Sequence, residues 1–392
     1  MNNATEMETG NPSVIRRINR DAILRLLRQR KSCSRAALAK QLKLAPATVS
    51  AVVGELIRDN LVVETGILSV DQRSPGRPSR GLKLNPEAGY VFGVVLDTAD
   101  SNLTISAMWS DYAGNMSQVH DFLISSELGE ADVVSSITKV IFDLKNKLSK
   151  DANIIATAMG IPGVVVGDEI RYAPRLPGLL GERFHRMASA KLGNAVFLEN
   201  NVNLALYSEA KAQPALRTSN YGYLLVSEGV GSGISLANNI WKSQNWSGEI
   251  GHIRVPLADR GLQTLESIIG LNGICIEGIK RLGGNFQETH FDIDNVENVG
   301  QIESLIQQYV TYLLIAIQAL NAAVGLDDII LSSRETGFLR YIQPMVLKQI
   351  EQSPLKLAVS ISDNPESSLT EGAALFGLSC ALQAFEHRKT LS

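Results

Sequence analysis

Three short runs carry the side chains best suited to chemistry. Glu199-Asn200-Asn201-Val202-Asn203 and Gly248-Glu249-Ile250-Gly251-His252 bring carboxylate, amide and imidazole groups together. With Glu266 further on, Asn200, Asn201, Glu249 and His252 supply donors and acceptors that can chelate adjacent hydroxyl groups. The third run, Glu228-Gly229-Val230-Gly231-Ser232-Gly233, contains glycines, and glycine lets backbone amides come close to a phosphate. Metal chemistry has a weaker footing. Cys33, Cys275 and Cys380 are far apart and match neither a disulfide framework nor a CxxC metal pair.

These runs need a scaffold, and the hydropathy pattern predicts one. Strands are expected at Tyr90 to Asp97, Leu103 to Trp109 and Met116 to Leu123, then a helix over Val133 to Leu148 and a strand at Ile154 to Met159. The order repeats later, with strands at Tyr221 to Ser227, Gly231 to Ala237 and Ile240 to Lys242, then helices and a strand at Asp328 to Leu331. The echo predicts two related α/β lobes facing across a cleft, the usual place to enclose a small ligand.

The first ninety residues differ in kind. They hold 15 Lys and Arg against 8 Asp and Glu, leaving 22 against 32 for the rest of the chain, so a basic head sits on an acidic body. Such a head suits nucleic acid, because Lys and Arg neutralise phosphates. Ile15, Ile18, Ile23, Leu26 and Leu27 recur at helical spacing with arginines between them. After a break at Lys31 to Cys33, Ser34 is a natural N-cap for a short helix over Arg35 to Leu42. A turn at Lys43 to Ala45 leads to Pro46, which opens a third helix. In that helix Val49, Val52, Val53, Leu56 and Ile57 form an apolar stripe, opposite small and hydroxyl residues suited to a major groove. Strands at Leu61 to Glu64 and Gly81 to Leu84 flank the wing, whose Gly76-Arg77-Pro78 can offer an Arg to a narrow minor groove. The candidate DNA contacts are Ser34, Arg35, Pro46, Ala47, Thr48 and Ser50, with Arg77 and Pro78 in the wing.

At 392 residues, with 45% hydrophobic and 20% charged, the chain is expected to form two or three globular units. No apolar run approaches the roughly 18 residues of a membrane span, and Met1 to Pro12 has no signal-like apolar core, so a cytoplasmic protein without membrane contact is expected.

The three helices and wing, followed by Gly76-Arg77-Pro78 and then by Leu84-Asn85-Pro86, resemble the regulators of the ROK family (repressors, open reading frames and sugar kinases). The likeness continues through Gly160-Ile161-Pro162-Gly163, Ala173-Pro174-Arg175-Leu176-Pro177-Gly178 and the Asn200 and Glu249 runs. It implies an α/β protein: an N-terminal winged helix-turn-helix over residues 1-86, plus a two-lobed actin-like (RNase H-like) sugar-kinase fold over residues 87-392. It also implies a sugar site made of Gly178, Asn200, Asn201, Glu249, His252 and Glu266. One departure is Ala45, where the family usually carries a Ser before the recognition helix.

Further departures concern catalysis. The base of ROK kinases is an Asp where this chain has Asn201, and an amide cannot take the proton of an attacking hydroxyl, although Asn201 could serve as a helix N-cap. The first phosphate loop, Asp-x-Gly-Gly-Thr in the family, is Asp97-Thr98-Ala99-Asp100-Ser101 here. Glu228 stands for a Thr, and Ser332-Ser333 for a Gly-Gly pair. The family's zinc-binding cysteine run has no counterpart between Ile253 and Leu265. The expectation is a sugar-responsive transcriptional regulator, a repressor of carbohydrate uptake or catabolism genes, without kinase activity, metal or other cofactor. Its partners would be a double-stranded DNA operator and a sugar or sugar derivative, and it would act as a homodimer or homotetramer. Two alternatives stay open: a ROK sugar kinase with a DNA-binding extension, and a regulator with a vestigial pocket that answers to a protein partner.

Overall fold

The computed structural model describes residues 12–67, 80–99, 102–125, 129–243, 246–258, 260–287, 289–293, 297–353, 356–363 and 365–388. In the head, α1 (Pro12–Arg30), β1 (Cys33–Ser34), α2 (Arg35–Leu42) and α3 (Pro46–Arg58) precede the strands β2 (Val62–Ile67) and β3 (Arg80–Leu84). The apolar stripes set this arrangement. Ile23, Leu27, Leu38, Val49, Val53 and Leu56 are buried together, each large side chain contributing about 1.5–3 kcal/mol. Ser34 caps α2 by accepting from the Ala37 amide at 3.2 Å, whereas Ala45 gives α3 no side-chain cap and Pro46 opens it. Cys33, expected in a break, pairs instead with Leu82, so the wing sheet has three strands in the order β1-β3-β2.

The first lobe begins with the antiparallel strands β4 (Tyr90–Ala99), β5 (Asn102–Asp111) and β6 (His120–Ser125). The hydropathy pattern starts the third of these at Met116, but Met116 makes only an isolated bridge to Ser110. The Asp111 carboxylate explains this: it accepts from the Asn115 amide at 2.9 Å and from Asn115 Nδ2 at 2.7 Å, folding the connection into a turn. Next come α4 (Glu130–Lys145), β7 (Ile154–Ile161), the hairpin β8 (Val164–Val166) and β9 (Glu169–Tyr172), α5 (Arg183–Leu192), β10 (Ala195–Asn200) and α6 (Asn201–Ala212). The sheet order is β10-β7-β4-β5-β6.

The second lobe repeats the plan. β11 (Tyr221–Val226), β12 (Val230–Leu236) and β13 (Asn239–Ile240) precede the hairpin β14 (Arg254–Leu257) and β15 (Gly261–Thr264). Then follow α7 (Leu265–Ile269), α8 (Ile274–Arg281), the short pair β16 (Asn285–Phe286) and β17 (Phe291–Asp292), α9 (Val299–Val324), β18 (Asp328–Ser332), α10 (Thr336–Glu351) and β19 (Ala358–Ile361). Its main sheet is ordered β13-β12-β11-β18-β19. In each lobe the central strand, β4 or β11, has two antiparallel strands on one side and two parallel strands on the other. The echo in the sequence is a repeated topology.

The last helix, α11 (Pro365–Arg388), returns to the first lobe. It lies against β4 and α6 at glycine contacts: a Cβ on Gly93 would stand 2.4 Å from the Ala374 nitrogen, and one on Gly372 would stand 1.9 Å from the Leu204 oxygen. Its Leu382 packs against the head core, which also takes in Tyr112 from the end of β5, only 3% exposed. Arg28 of α1 lies over the Tyr112 ring at 5.7 Å, and its guanidinium donates to the Tyr112 carbonyl at 3.5 Å. Asn85, at the junction, donates to the Asn60 carbonyl at 2.9 Å. Among the described residues no helix is long and apolar enough to cross a membrane.

This docking yields a prediction. Tyr112→Ala removes a buried aromatic shared by head and body and should cost about 3 kcal/mol or more. Differential scanning calorimetry should show a lowered or separated transition for the head. An unchanged thermogram would mean that the head stands without this contact.

Candidate ligand cleft and nucleic-acid face

The lobes enclose a cleft of about 630 Å³. The junction of β10 and α6 forms its base. Asn200 caps α6: its Oδ1 accepts from the amides of Val202 at 2.7 Å and Asn203 at 3.4 Å, and its Nδ2 donates to the Gly163 carbonyl at 2.6 Å. The cap role considered for Asn201 therefore belongs to Asn200, because that residue keeps the extended backbone an N-cap requires. Asn201 is instead the first helical residue. It donates to the Leu96 carbonyl at 2.9 Å, while its Oδ1 is buried without a hydrogen-bond partner.

On the opposite wall, Gly248 has a positive φ of 81°, and a Cβ there would stand 2.0 Å from the Ser232 carbonyl oxygen. The glycine lets the loop lie directly on β12, where Ser232 N and Oγ both donate to the Gly248 carbonyl at 2.9 and 2.8 Å. Glu249 is thereby held at the cleft. Burial pushes its carboxyl above the usual carboxylate range, while His252 pulls it back and Glu266 adds to the rise. The His252 ring lies 5.7 Å from Tyr172 and 5.6 Å from Trp246, which themselves stack at 4.7 Å. Tyr172 comes from the first lobe, so an aromatic cluster positions this imidazole. Glu266 lines the same space, with one oxygen accepting from the Val230 amide at 3.1 Å.

Gly178 is placed apart from these groups. It sits in a single 3₁₀ turn, Pro177–Leu179, and does not line the cleft, whereas Pro174 and Arg175 of the same loop do. Arg175 donates to the Thr98 carbonyl at 3.5 Å.

The chemistry of the far end differs. Glu228 pairs with Arg334, which follows β18, and accepts from Ser227 Oγ at 2.6 Å. Burial would raise the Glu228 carboxyl, but bonds from Ser227 and the backbone, with the Arg334 charge, outweigh it and hold the group below its ordinary value. Asp97 faces this pair from the first lobe. Burial pushes its carboxyl upward against the Thr98 amide and the charges of Arg334 and Arg175. Two carboxylates and an arginine already engaged do not suit a nucleotide phosphate. Among the described residues no group of three or more His, Cys, Asp and Glu side chains is placed to hold a metal ion.

On the head, Pro46, Ala47 and Ser50 are exposed and Thr48 is partly exposed, opposite the buried Val49, Val52 and Val53. Ser34 is tied to the α2 cap, and Arg35 pairs with Glu64 at 2.9 Å, a carboxylate that also holds Arg80 at 2.7 Å. The basic face of α1 is partly used inside the head, where Arg16 pairs with Glu55 and Arg20 with Asp59. Arg77 and Pro78, like Asp100 and Ser101, lie outside the described residues.

Sequence reasoning missed several groups. Buried Glu199 pairs with Lys242 of the second lobe, 43 positions away, and Arg334 stands 106 positions from Glu228. Nothing local in the sequence marks either pair. Tyr172 had a signal, since it directly precedes the Ala173-Pro174 loop.

With this geometry in place, comparison with known proteins is informative. A model for a winged helix-turn-helix DNA-binding domain matches residues 16–63. The xylose repressor of Caldicellulosiruptor bescii is 25% identical over 258 residues, which is 64% of this chain and 62% of that protein. NagC of Escherichia coli, a DNA-binding transcriptional dual regulator, is 27% identical over 270 residues, 65% of this chain and 62% of its own. The chain thus spans about 62% of the length of the curated relatives it matches. Among solved structures, a ROK family transcriptional regulator described as a homolog of the E. coli MLC protein superposes with a TM-score of 0.73 at 21% identity, over 95% of this chain and 98% of that one. The ROK hexokinase of Thermus thermophilus superposes with a TM-score of 0.57 at 18% identity, over 75% of this chain and 99% of its own. The regulator likeness takes in the head as well as the body, the hexokinase likeness covers a share of the size of the body, and the model of the ROK family matches residues 104–368: this chain belongs to the ROK family.

Proposed function

We propose that the chain is a sugar-responsive transcriptional regulator that binds operator DNA through its head, senses a sugar in the interlobe cleft and carries out no phosphoryl transfer. The observation that carries this reading is the path of α11. Near its start Thr370 lines the cleft, and twelve residues on, about 18 Å along the axis, Leu382 packs against the head core. A ligand that draws the lobes together shifts the seat of the head, and in a homodimer or homotetramer it changes the spacing of two heads against two half-sites. The relatives named as regulators support the regulatory role, and the name xylose repressor supports carbohydrate genes as targets. Cytoplasmic residence follows from a DNA operator as partner.

In this reading Asn200 and Asn201 serve as fixed amides beside the sugar, and Glu249 bridges two neighbouring hydroxyls by charge-assisted bonds. His252, held by Tyr172 and Trp246, adds a donor or acceptor. Gly178 enters only through the loop that carries Arg175. Asn201 has no basic group to accept the proton of an attacking hydroxyl, and the Glu228–Arg334 pair occupies the loop where a kinase would hold phosphate. On the head, the Thr48 and Ser50 face of α3 enters the major groove, with Pro46 and Ala47 allowing close approach, Ser34 and Arg35 near the backbone, and Arg77 with Pro78 in the minor groove.

Three measurements check this reading. Arg77→Ala should weaken operator binding and reduce the salt slope by about one phosphate-equivalent, and an unchanged slope removes the wing from the interface. Clean protein should show no sugar-dependent ATP turnover, and a rate of roughly 1 to 100 per second would restore the kinase reading. Glu249→Gln should bind operator like the parent but lose the response to sugar, because the two states must differ in ligand affinity for coupling to exist. A stable variant that still responds at the parent's sugar concentration places the sensor elsewhere and favours a protein partner as the input.

A further inference from the structure

Resting on the sugar-sensing reading above, we infer that the half of the cleft beneath the start of α11 is a second sugar subsite, so that the effector is a neutral glycoside of at least two rings.

The size of the cleft points this way first. Its volume of about 630 Å³ has room for about 20 waters at roughly 30 Å³ each, and one pyranose ring displaces only about six of them. The hydroxyl-binding groups proposed above, Asn200, Asn201, Glu249, His252 and Glu266, share this space with a further set on β4, β5, β6 and the start of α11. One ring there leaves the rest of the cleft unfilled.

Strand register and the start of the helix build the remaining part. Asp97 of β4 pairs with Thr104 of β5, and Val95 pairs with Ser106, which in turn pairs with Asp121 of β6. Alternate residues share a face of a sheet, and all five of these residues line the cleft. Ser106 Oγ donates to Asp121 Oδ1 at 2.5 Å, so a carboxylate and a hydroxyl stand side by side as a ready hydroxyl-binding pair. From the other side Leu369 and Thr370 of α11 close over this shelf. Thr370 is fully buried, and its Oγ1 has no hydrogen-bond partner in the protein. A buried hydroxyl facing the cleft without a partner is a group that a ligand hydroxyl satisfies.

Charge selects the class of ligand. Asp97 and Asp121 bring negative charge to this half, and the Arg334 guanidinium is engaged by Glu228. A phosphate entering here would meet two carboxylates, and of the two arginines that line the cleft Arg334 is paired with Glu228 while Arg175 lies close enough to Asp97 to draw its carboxyl down. A neutral ring instead finds hydroxyls and carboxylates for its own hydroxyls, and Leu225 and Leu369 for its apolar face. The subsite therefore suits a second sugar residue rather than a sugar phosphate or a nucleotide.

Isothermal titration of the full chain tests this directly, with xylose against xylobiose, glucose against cellobiose and maltose, and N-acetylglucosamine against its β-linked dimer. One disaccharide is expected to bind at least about tenfold tighter than its monosaccharide. Thr370→Val, which keeps the shape, and Ser106→Ala, at a partly exposed strand position, should each erase most of that advantage while leaving monosaccharide affinity at the parent's value. Two variants on different elements guard against loss of folding in either. If monosaccharides bind in a Glu249-dependent manner and no disaccharide gains affinity, the second subsite is wrong while sugar sensing stands. If glucose 6-phosphate or an ATP analogue binds the parent tighter than any disaccharide, and Thr370→Val abolishes that binding, the neutral class is wrong. If no sugar of either size binds, the sugar-sensing reading fails and this inference fails with it.

Discussion

Backbone-close packing of α11 on β4 and α6 is the contact on which the remainder of the molecule depends. It exists because Gly93 and Gly372 have no side chains, so helix and strand backbones meet without an intervening layer. α6 also meets the second lobe, less tightly, where a Cβ on Gly233 of β12 would stand 3.2 Å from the Val202 oxygen. The cleft receives Thr370 as part of its wall, and the far end of the same helix reaches the head through Leu382. A helix held this closely moves as a rigid body, since packed interfaces switch between arrangements more readily than they deform. In the proposed reading, a change in lobe angle would reach the winged head through this helix.

In the reading proposed above, the cleft keeps recognition and loses chemistry on a fold it shares with sugar kinases. Recognition asks only for donors and acceptors in fixed places, which the α6 terminus and the Gly248–His252 loop provide through main-chain geometry. Phosphoryl transfer also asks for a proton acceptor and a cationic, glycine-lined bed for phosphate. Here an amide stands at the first position and the second is closed by an internal ion pair between Glu228 and Arg334.

His252 illustrates a similar replacement. In ROK proteins with a cysteine run, metal coordination orients this side chain. Here Tyr172 and Trp246, one from each lobe, both meet its ring edge-on. Lys242, pairing across the lobes with Glu199 and lying 4.9 Å from the Phe376 ring, adds a second interlobe tie.

Much of this is legible in the chain itself. Apolar spacing marks the head helices, alternation marks both sheets, and Ser34 and Pro46 mark helix starts, because these signals are local and depend on periods of two or 3.6 residues. The hydroxyl-binding runs are legible for the same reason, as residues close in sequence stay close in a loop or helix turn. What stays hidden is of two kinds. Local competition misleads where a nearby side chain captures the backbone, as Asp111 does with Asn115, or where a neighbour takes the role, as Asn200 does from Asn201. Long-range pairing leaves no trace, since Glu228 with Arg334, Glu199 with Lys242 and Trp246 with Tyr172 meet only after two lobes fold and face each other. Local patterns along the chain settle the elements and the inventory of groups. The folded arrangement decides which charges cancel, which hydroxyl is left without a partner and which helix joins the cleft to the head, because those depend on distances between segments that no local pattern encodes.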